Sequence, residues 1–265
     1  MSDQKDIRGI ADANKPNAGR MYDFFLGGHH NFEVDREAAR HVLEISPFMP
    51  KILRLVRWYL GAAVRLLIAE GYTNFLDFAS GLPTVDHIHQ IAPPGTKVIY
   101  SDIDPVTVAY AQDIIGDIPD VRYVHCDAAK PEELLNSGII EEVFDNREKV
   151  AIGFNGIAWF LTDEEVDHSL SVLSDWAEEG DRLFLCDNDV KDLTETGKQM
   201  TEIYKNVGQP LYLRSLETVQ DLISPWTVVE PGFRILEEWV DLDPTVSETL
   251  QNSWGAQIYG GILQK

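Results

Sequence analysis

The feature that most constrains the fold is the alternation of short apolar runs with helix-length segments from residue 74 to residue 187. Five runs have the length and composition of buried strands: NFLDFA, KVIYSD, VRYVHC, KVAIGFN and RLFLCD. The segments between them include DPVTVAYAQDII and TDEEVDHSLSVLSDWA, which have helical length. Strand, helix and strand in this repeated order is typical of a parallel sheet with helices on both faces.

Two further strand-like stretches follow, WTVVEPGFRILEEW and WGAQIYGGILQK, so the chain is predicted to be α/β with a doubly wound, mostly parallel seven-stranded sheet. Helical patterns precede the sheet at 34–44 and 51–70, and we expect them to form an N-terminal helical cap. The predicted division is 1–72 for an N-terminal arm and the cap, within the same domain, and 73–265 for the core.

Charge and hydropathy limit the partners that this chain can have. Its 265 residues carry a formal charge of −22, which disfavours nucleic acid and anionic membranes as partners. No run reaches the roughly 18 apolar residues of a membrane span, and the polar start has no signal-peptide core. We therefore expect a cytoplasmic protein that acts on a small molecule, with Cys126 and Cys186 as buried free thiols.

Small and acidic residues follow the first three predicted strands, where ligands bind in wound sheets. The first strand ends in DFASGLPT, whose small residues let a ligand approach the backbone, although such a loop is also an ordinary strand-to-helix turn. Asp102 after the second strand can accept hydrogen bonds from a ribose diol, whereas Asp104 suits a helix cap. Asp127 after the third strand is a candidate for an adenine amino group or for a helix cap.

These strand ends resemble those of class I S-adenosylmethionine-dependent methyltransferases. The segment RMYDFFLGGHHNFEVDRE at 20–37, followed by FLDFASGLPT, is similar to the actinobacterial-type S-adenosyl methyltransferase family, once a domain of unknown function. The resemblance continues through LRSLETVQDLI and VVEPGF and covers nearly the whole chain. It implies a Rossmann-like methyltransferase core that uses S-adenosylmethionine, releases S-adenosylhomocysteine and methylates a small molecule at an O, N or C atom.

The resemblance also implies the residues that hold the cofactor. Ala79, Ser80 and Gly81 would lie under its methionine part, and Asn155 near its sulfonium. Other residues would contact the ribose (Asp102), the adenine ring (Ile103) and the adenine edge (Asp127 and Ala128). Four residues of the opening segment would close over the methionine end: Tyr22, Gly27, Gly28 and Asn31.

One departure from the family pattern is the pair His29 and His30, where Lys and Asp are usual. Either imidazole is a candidate general base, and packing or hydrogen bonding is the alternative. The stretch DHIH has its histidines at i and i+2, which point to different sides of a helix, so no metal site is predicted. Two other functions remain open: a cofactor-binding protein with lost or altered activity, and a nicotinamide-dependent oxidoreductase, which the phosphate-poor SGLPT loop disfavours.

Overall fold

The computed structural model describes residues 14–144 and 147–265, so the first 13 residues of the predicted arm lie outside the described residues. The strands are β1 (Asn74–Asp77), β2 (Lys97–Asp102), β3 (Val121–His125), β4 (Val150–Asn155), β5 (Arg182–Val190), β6 (Thr227–Val228), β7 (Arg234–Ile235) and β8 (Ala256–Gln264). The helices that precede β4 are α1 (Ala18–Phe25), α2 (Glu33–Ile45), α3 (Met49–Ala69), α4 (Ile88–Ile91), α5 (Pro105–Ile115), α6 (Glu132–Leu135) and α7 (Ile139–Val143). After β4 come a 3₁₀ helix (Ala158–Phe160), α8 (Asp163–Trp176), α9 (Glu195–Asn206), α10 (Leu216–Leu222), α11 (Leu236–Trp239) and α12 (Thr245–Trp254).

The sheet has the strand order β3-β2-β1-β4-β5-β8-β6, with β7 also paired to β8. Strands β1 to β5 are parallel, and β8 runs antiparallel to β5. The prediction of a doubly wound, mostly parallel sheet is confirmed. Within residues 14–144 and 147–265 the sheet has eight strands rather than the predicted seven, because the edge strand beyond β8 is interrupted and forms two pieces of two residues, β6 and β7.

The core lies on both faces of the sheet because successive side chains of each strand point to opposite faces. Phe75 packs with the apolar residues of α1, α2 and α3, whereas Leu76 packs with those of α6, α7 and α8. Both side chains are fully buried. Burial on both faces explains why the parallel strands appear in the sequence as continuous apolar runs.

Helices α1 to α3 cover one face of the sheet and reach its carboxyl edge through an ion-pair cluster around Arg20. The Arg20 guanidinium contacts Asp35 of α2 at 2.8 Å and Asp104 at 3.0 Å. Asp104 also caps α5, since its carboxylate accepts a hydrogen bond from the Thr107 N–H, as predicted. The cluster therefore fixes α1 and α2 to the end of β2. Within the described ranges, no helix has the length and apolar character needed to cross a membrane.

Candidate functional site

A cavity of about 350 Å³ lies at the carboxyl ends of β1 to β5, beside β1, where the strand order reverses. Its lining comes from these strand ends together with parts of α1, α3, α12 and the segment 208–213. In open α/β sheets this is the place where ligands bind. Nine of the residues predicted to hold a ligand line it: Tyr22, Ala79, Ser80, Gly81, Asp102, Ile103, Asp127, Ala128 and Asn155.

The loop after β1 exposes backbone to the cavity because its side chains are small. Ala79 and Gly81 both have positive φ angles, 50° and 64°, which a non-glycine residue adopts only when its surroundings enforce it. The Ser80 hydroxyl donates to the Asp77 carbonyl at 2.8 Å, and the Ser80 N–H donates to the Ser101 carbonyl at 2.8 Å. A His87 ring nitrogen, Nε2, lies 3.0 Å from the Ser80 carbonyl. The loop is thus fixed from three directions.

Asp102, at the end of β2, is held by two backbone groups. One carboxylate oxygen accepts from the Gly81 N–H at 3.1 Å and the other from the Asp104 N–H at 2.9 Å. Burial raises the pKa of Asp102 to about 6, and these hydrogen bonds only partly oppose that effect. Each carboxylate oxygen can accept a further hydrogen bond, so Asp102 can still hold a diol.

Ile103 and Asp127 extend the cavity toward β3. The Ile103 side chain is 52% exposed, which is unusual for an apolar residue at the end of a buried strand, and it offers a face to a flat ligand. The Asp127 carboxylate accepts from the Ala129 N–H at 3.0 Å, so it stabilises its own turn while it lines the cavity. The residue before α6 is Pro131, which makes no side-chain cap, so the predicted helix-capping role of Asp127 is wrong, and its ligand role stays a prediction.

Arg57 is a cavity residue that the sequence analysis missed. It lies on α3, is 7% exposed, and has no hydrogen-bond partner for Nε or Nη1. The guanidinium lies 5.4 Å from the centre of the Tyr22 ring. Its charge also acts on Asp77, whose pKa is raised to about 6 by burial and lowered in part by the Ser80 side chain and by Arg57. A buried cation with free N–H groups at a cavity is a site for an anion.

Asn155, at the end of β4, presents a second unpartnered polar atom. Its Oδ1 is buried and has no hydrogen-bond partner. Leaving such an acceptor without a partner costs about 1 to 3 kcal/mol, so a ligand that supplies a donor or positive charge would be favoured there. Both Asn155 and Arg57 line the same cavity as Asp102.

The remaining predicted residues of the opening segment do not line the cavity. Three of them, Gly28, His30 and Asn31, lie against the buried Asp23 carboxylate, which accepts from the His30 N–H and from Asn31 Nδ2, each at 2.9 Å. A Cβ on Gly28 would lie 2.0 Å from Asp23 Oδ1, so any larger residue requires the Asp23 side chain or the loop to move. Gly27 (φ 86°) and His29 are exposed.

The His30 ring packs edge-on against Tyr110 at 5.5 Å. The cofactor contacts predicted for Gly27, Gly28 and Asn31, and the base role predicted for His29 and His30, stay predictions. In the part of the chain that the structure describes, no group of three or more His, Cys, Asp or Glu residues could hold a metal ion.

The wound sheet, its antiparallel strand β8 beside β5, and carboxylates at the ends of β1, β2 and β3 define the Rossmann-like fold of class I methyltransferases. Comparison with family models gives a match to the family described as S-adenosyl methyltransferase over residues 4–265. The chain belongs to this family. It is an S-adenosylmethionine-dependent methyltransferase.

Solved structures give the same assignment of the fold. A protein of the DUF574 family from Streptomyces avermitilis is 24% identical, with a TM-score of 0.84 over 96% of this chain and 99% of that one. A putative methyltransferase from Thermobifida fusca is 26% identical, with a TM-score of 0.85 over 100% of this chain and 99% of that one. Magnesium protoporphyrin IX methyltransferase from Synechocystis, with bound S-adenosylhomocysteine, is 13% identical, with a TM-score of 0.55 over 98% and 100%. Among curated protein sequences, none matches significantly.

The residues of the cavity fit S-adenosylmethionine. The cofactor carries a carboxylate, an ammonium group, a sulfonium, a ribose diol and an adenine ring, and it has no phosphate. The unpartnered Arg57 nitrogens suit the carboxylate, and the buried Asp77 and Asp102 suit the groups that are positively charged or donate hydrogen bonds. Pro83 stands in the loop where a phosphate-binding helix start would need an N–H.

Proposed function

We propose that the cavity holds S-adenosylmethionine over the ends of β1 to β4 and a small-molecule methyl acceptor on the side of β5 and β8. The observation that carries this proposal is the convergence on one cavity of the unpartnered Arg57 and Asn155 atoms with the buried carboxylate of Asp102. A concave site with few polar groups among apolar walls is also the usual form of a small-molecule pocket.

In this proposal each part of the cofactor has a residue of matching chemistry. Asp102 accepts from the ribose hydroxyls, and the loop 79–81 exposes backbone to the methionine part. Arg57 binds the methionine carboxylate and Asp77 faces the ammonium group. The adenine ring lies by a group of residues at the ends of β2 and β3, namely Ile103, Asp127 and Ala128.

When bound, the cofactor supplies a methyl group on a positively charged sulfonium; the acceptor's electron pair forms the new bond to carbon, and the C–S electron pair stays on sulfur. The contribution of the chain is to bind, orient and exclude water. Asn155 Oδ1 has a free lone pair for a positively polarised group. Apolar side chains of α3 such as Ile52 and Val56 line the wall and keep water from competing with the acceptor.

The proposal does not depend on a general base, because His29 and His30 do not line the cavity. The acid side chains that line it lie at the ends of β1, β2 and β3, in the half proposed for the cofactor. Methyl transfer by alignment and desolvation alone therefore fits the arrangement best, and an acceptor whose nucleophilic atom already carries a free electron pair needs no base in the cavity.

Isothermal titration calorimetry with S-adenosylhomocysteine tests the cofactor part. Asp102→Ala should weaken binding by about 1.5 to 3 kcal/mol, the usual cost of losing hydrogen bonds to a charged group. Asp113→Ala is a matched control, since Asp113 lies on the exposed side of the neighbouring helix α5. Equal affinity of the Asp102 variant and the wild type would refute the assignment.

Turnover is tested by S-adenosylhomocysteine release from S-adenosylmethionine across a panel of small molecules. Acceptor-dependent release is expected, and a methylated product of the panel compound should appear in equal amount. Tight cofactor binding with no release from any compound would favour the alternative of a cofactor-binding protein that has lost its activity.

A further inference from the structure

The half of the cavity away from the cofactor residues has a nearly uninterrupted apolar wall. Its lining side chains come from α3, the 3₁₀ helix, α12, β8 and the segment 208–213, and include Met49, Leu60, Phe160, Leu211, Leu250 and Ile258. We call this half the acceptor zone. Most of these side chains are buried, so they shape a site that excludes water.

The charged residues that line the cavity are Arg57, Asp77, Asp102 and Asp127, and all four belong to the cofactor half in the proposed function. Among the described lining residues after Asp127 in sequence, there is no Asp, Glu, Lys, Arg or His. A phosphate or ammonium group placed in the acceptor zone would lose its hydration without gaining a counter-ion, which costs several kcal/mol.

In the described part of the chain, three uncharged donors that line the cavity lack a partner: Asn188 Nδ2, Trp254 Nε1 and, on the 3₁₀ helix, Trp159 Nε1. The first two lie together on the side of β5 and β8. Asn188 on β5 is 6% exposed and its Nδ2 is unpartnered; Trp254 at the end of α12 is 7% exposed and its Nε1 is unpartnered. Asn188 pairs across the sheet with Ile258, and Trp254 precedes the same strand, β8, by two residues. Both donors therefore belong to the β5–β8 side of the cavity, which they both line.

Two indoles that do not line the cavity have satisfied donors. Trp226 Nε1 donates to the Leu170 carbonyl at 3.0 Å, and Trp239 Nε1 donates to the Gly260 carbonyl at 3.0 Å. Buried N–H groups are normally satisfied in this way, by protein or by a ligand. The missing partner of Trp254 is thus a property of its place at the cavity.

We propose that the methyl acceptor is an apolar molecule with one uncharged oxygen, such as a carbonyl oxygen, that accepts hydrogen bonds from Asn188 Nδ2 and Trp254 Nε1, and with no phosphate group. An oxygen of this kind has two lone pairs and can satisfy both donors at once. The apolar remainder of the molecule fills the acceptor zone. The inference rests on the proposed function, because it assigns the cofactor to the other half of the cavity.

The test uses the full chain saturated with S-adenosylhomocysteine and three probes measured by ligand-observed NMR titration. Acetophenone and α-methylstyrene have the same shape and differ only in the oxygen, and phenyl phosphate carries the excluded group. Acetophenone should bind, and phenyl phosphate should bind at least about tenfold more weakly. The preference for acetophenone over α-methylstyrene should fall roughly fivefold in Trp254→Phe and in Asn188→Leu, since each removes one hydrogen bond.

Trp226→Phe is the matched control, because it removes an indole N–H that is satisfied within the protein. It should leave the probe preference unchanged and lower the melting temperature more than Trp254→Phe does, since both lose packing but only Trp226→Phe loses an internal hydrogen bond. An unchanged preference in both cavity variants, tight binding of phenyl phosphate, no binding of acetophenone, or equal destabilisation by the two Trp substitutions would each overturn the inference. Calorimetry with S-adenosylhomocysteine separates the two proposals. If the wild type does not bind S-adenosylhomocysteine, the proposed function is refuted, whereas the outcomes above refute only the inference about the acceptor.

Discussion

Replacing Arg57 with Met tests the assignment of the cofactor's carboxylate. The substitution keeps a long unbranched side chain on α3 and removes the guanidinium, whose Nε and Nη1 have no partner in the protein. A hydrogen bond to a charged group contributes about 1.5 to 3 kcal/mol, so the affinity for S-adenosylmethionine should fall roughly ten- to hundredfold.

The comparison that identifies the contact uses decarboxylated S-adenosylmethionine, which lacks only the carboxylate. The wild type should bind S-adenosylmethionine more tightly than this analogue, and Arg57→Met should bind the two with nearly equal affinity. Calorimetry on both ligands gives the ratio directly. Arg54→Met is the control, because Arg54 lies three residues away on the exposed side of the same helix and removes the same charge.

The stability of the variant supplies a second readout. No internal hydrogen bond of Nε or Nη1 is lost, so the melting temperature should not fall by the several degrees expected for a broken buried ion pair. Asp77 loses a neighbouring positive charge, and its pKa should rise further above the wild-type value of about 6. An equal loss of affinity for both ligands, or no loss, would refute the role given to Arg57.

Three further predictions concern pH, the glycine pair and the histidine pair. Because burial raises the folded-state pKa of Asp77 and Asp102 to about 6, above the value in unfolded chains, their ionised forms cost stability above pH 6, and this cost disappears as the pH falls toward 4. Cofactor affinity should change in the opposite direction and fall below pH 6 in calorimetry, and a flat profile from pH 5 to 8 would contradict it. Gly28→Ala should lower the unfolding free energy by about 1 to 3 kcal/mol in urea, because its Cβ would lie 2.0 Å from Asp23 Oδ1, and an unchanged midpoint would mean that the loop relaxes freely. His30→Ala should lower the melting temperature through loss of the contact with Tyr110, whereas a selective loss of kcat at unchanged stability and cofactor affinity would support the base hypothesis.

The sheet and the carboxylates at its edge could be predicted from sequence because their signals are local. A strand buried on both faces must be apolar throughout, and a residue that follows it directly must lie at its carboxyl end. Asp102 and Asp127 were found on this basis, and both line the cavity. The split of the last edge strand into β6 and β7 could not be found in this way, because two residues carry no periodicity.

Arg57 was missed although its sequence position holds a usable signal. It follows Leu53 by four residues and Val56 by one, so helical geometry places it on the apolar face of α3 with these residues. A charged residue on a buried face requires a partner, and when none is present a ligand is the remaining possibility. The sequence analysis considered only the apolar residues of this helix and passed over Arg57. Asn188 and Trp254 could not have been distinguished from core residues, because only the tertiary structure shows that their donors lack partners.

Apart from Tyr22, which lines the cavity, the opening segment affects the cavity through Asp23. The Asp23 carboxylate accepts from the His30 N–H and Asn31 Nδ2, and the Thr84 hydroxyl lies 3.4 Å from it. Thr84 belongs to the turn that follows Gly81, so the Gly-Gly segment and the Gly-Leu-Pro-Thr turn meet at one buried acid. Because Gly28 leaves room for that acid, the other side chains of this segment can fix the loop under the proposed cofactor while remaining outside the cavity. A motif can therefore belong to a binding site by positioning it, whereas the family resemblance implied direct contact with the cofactor.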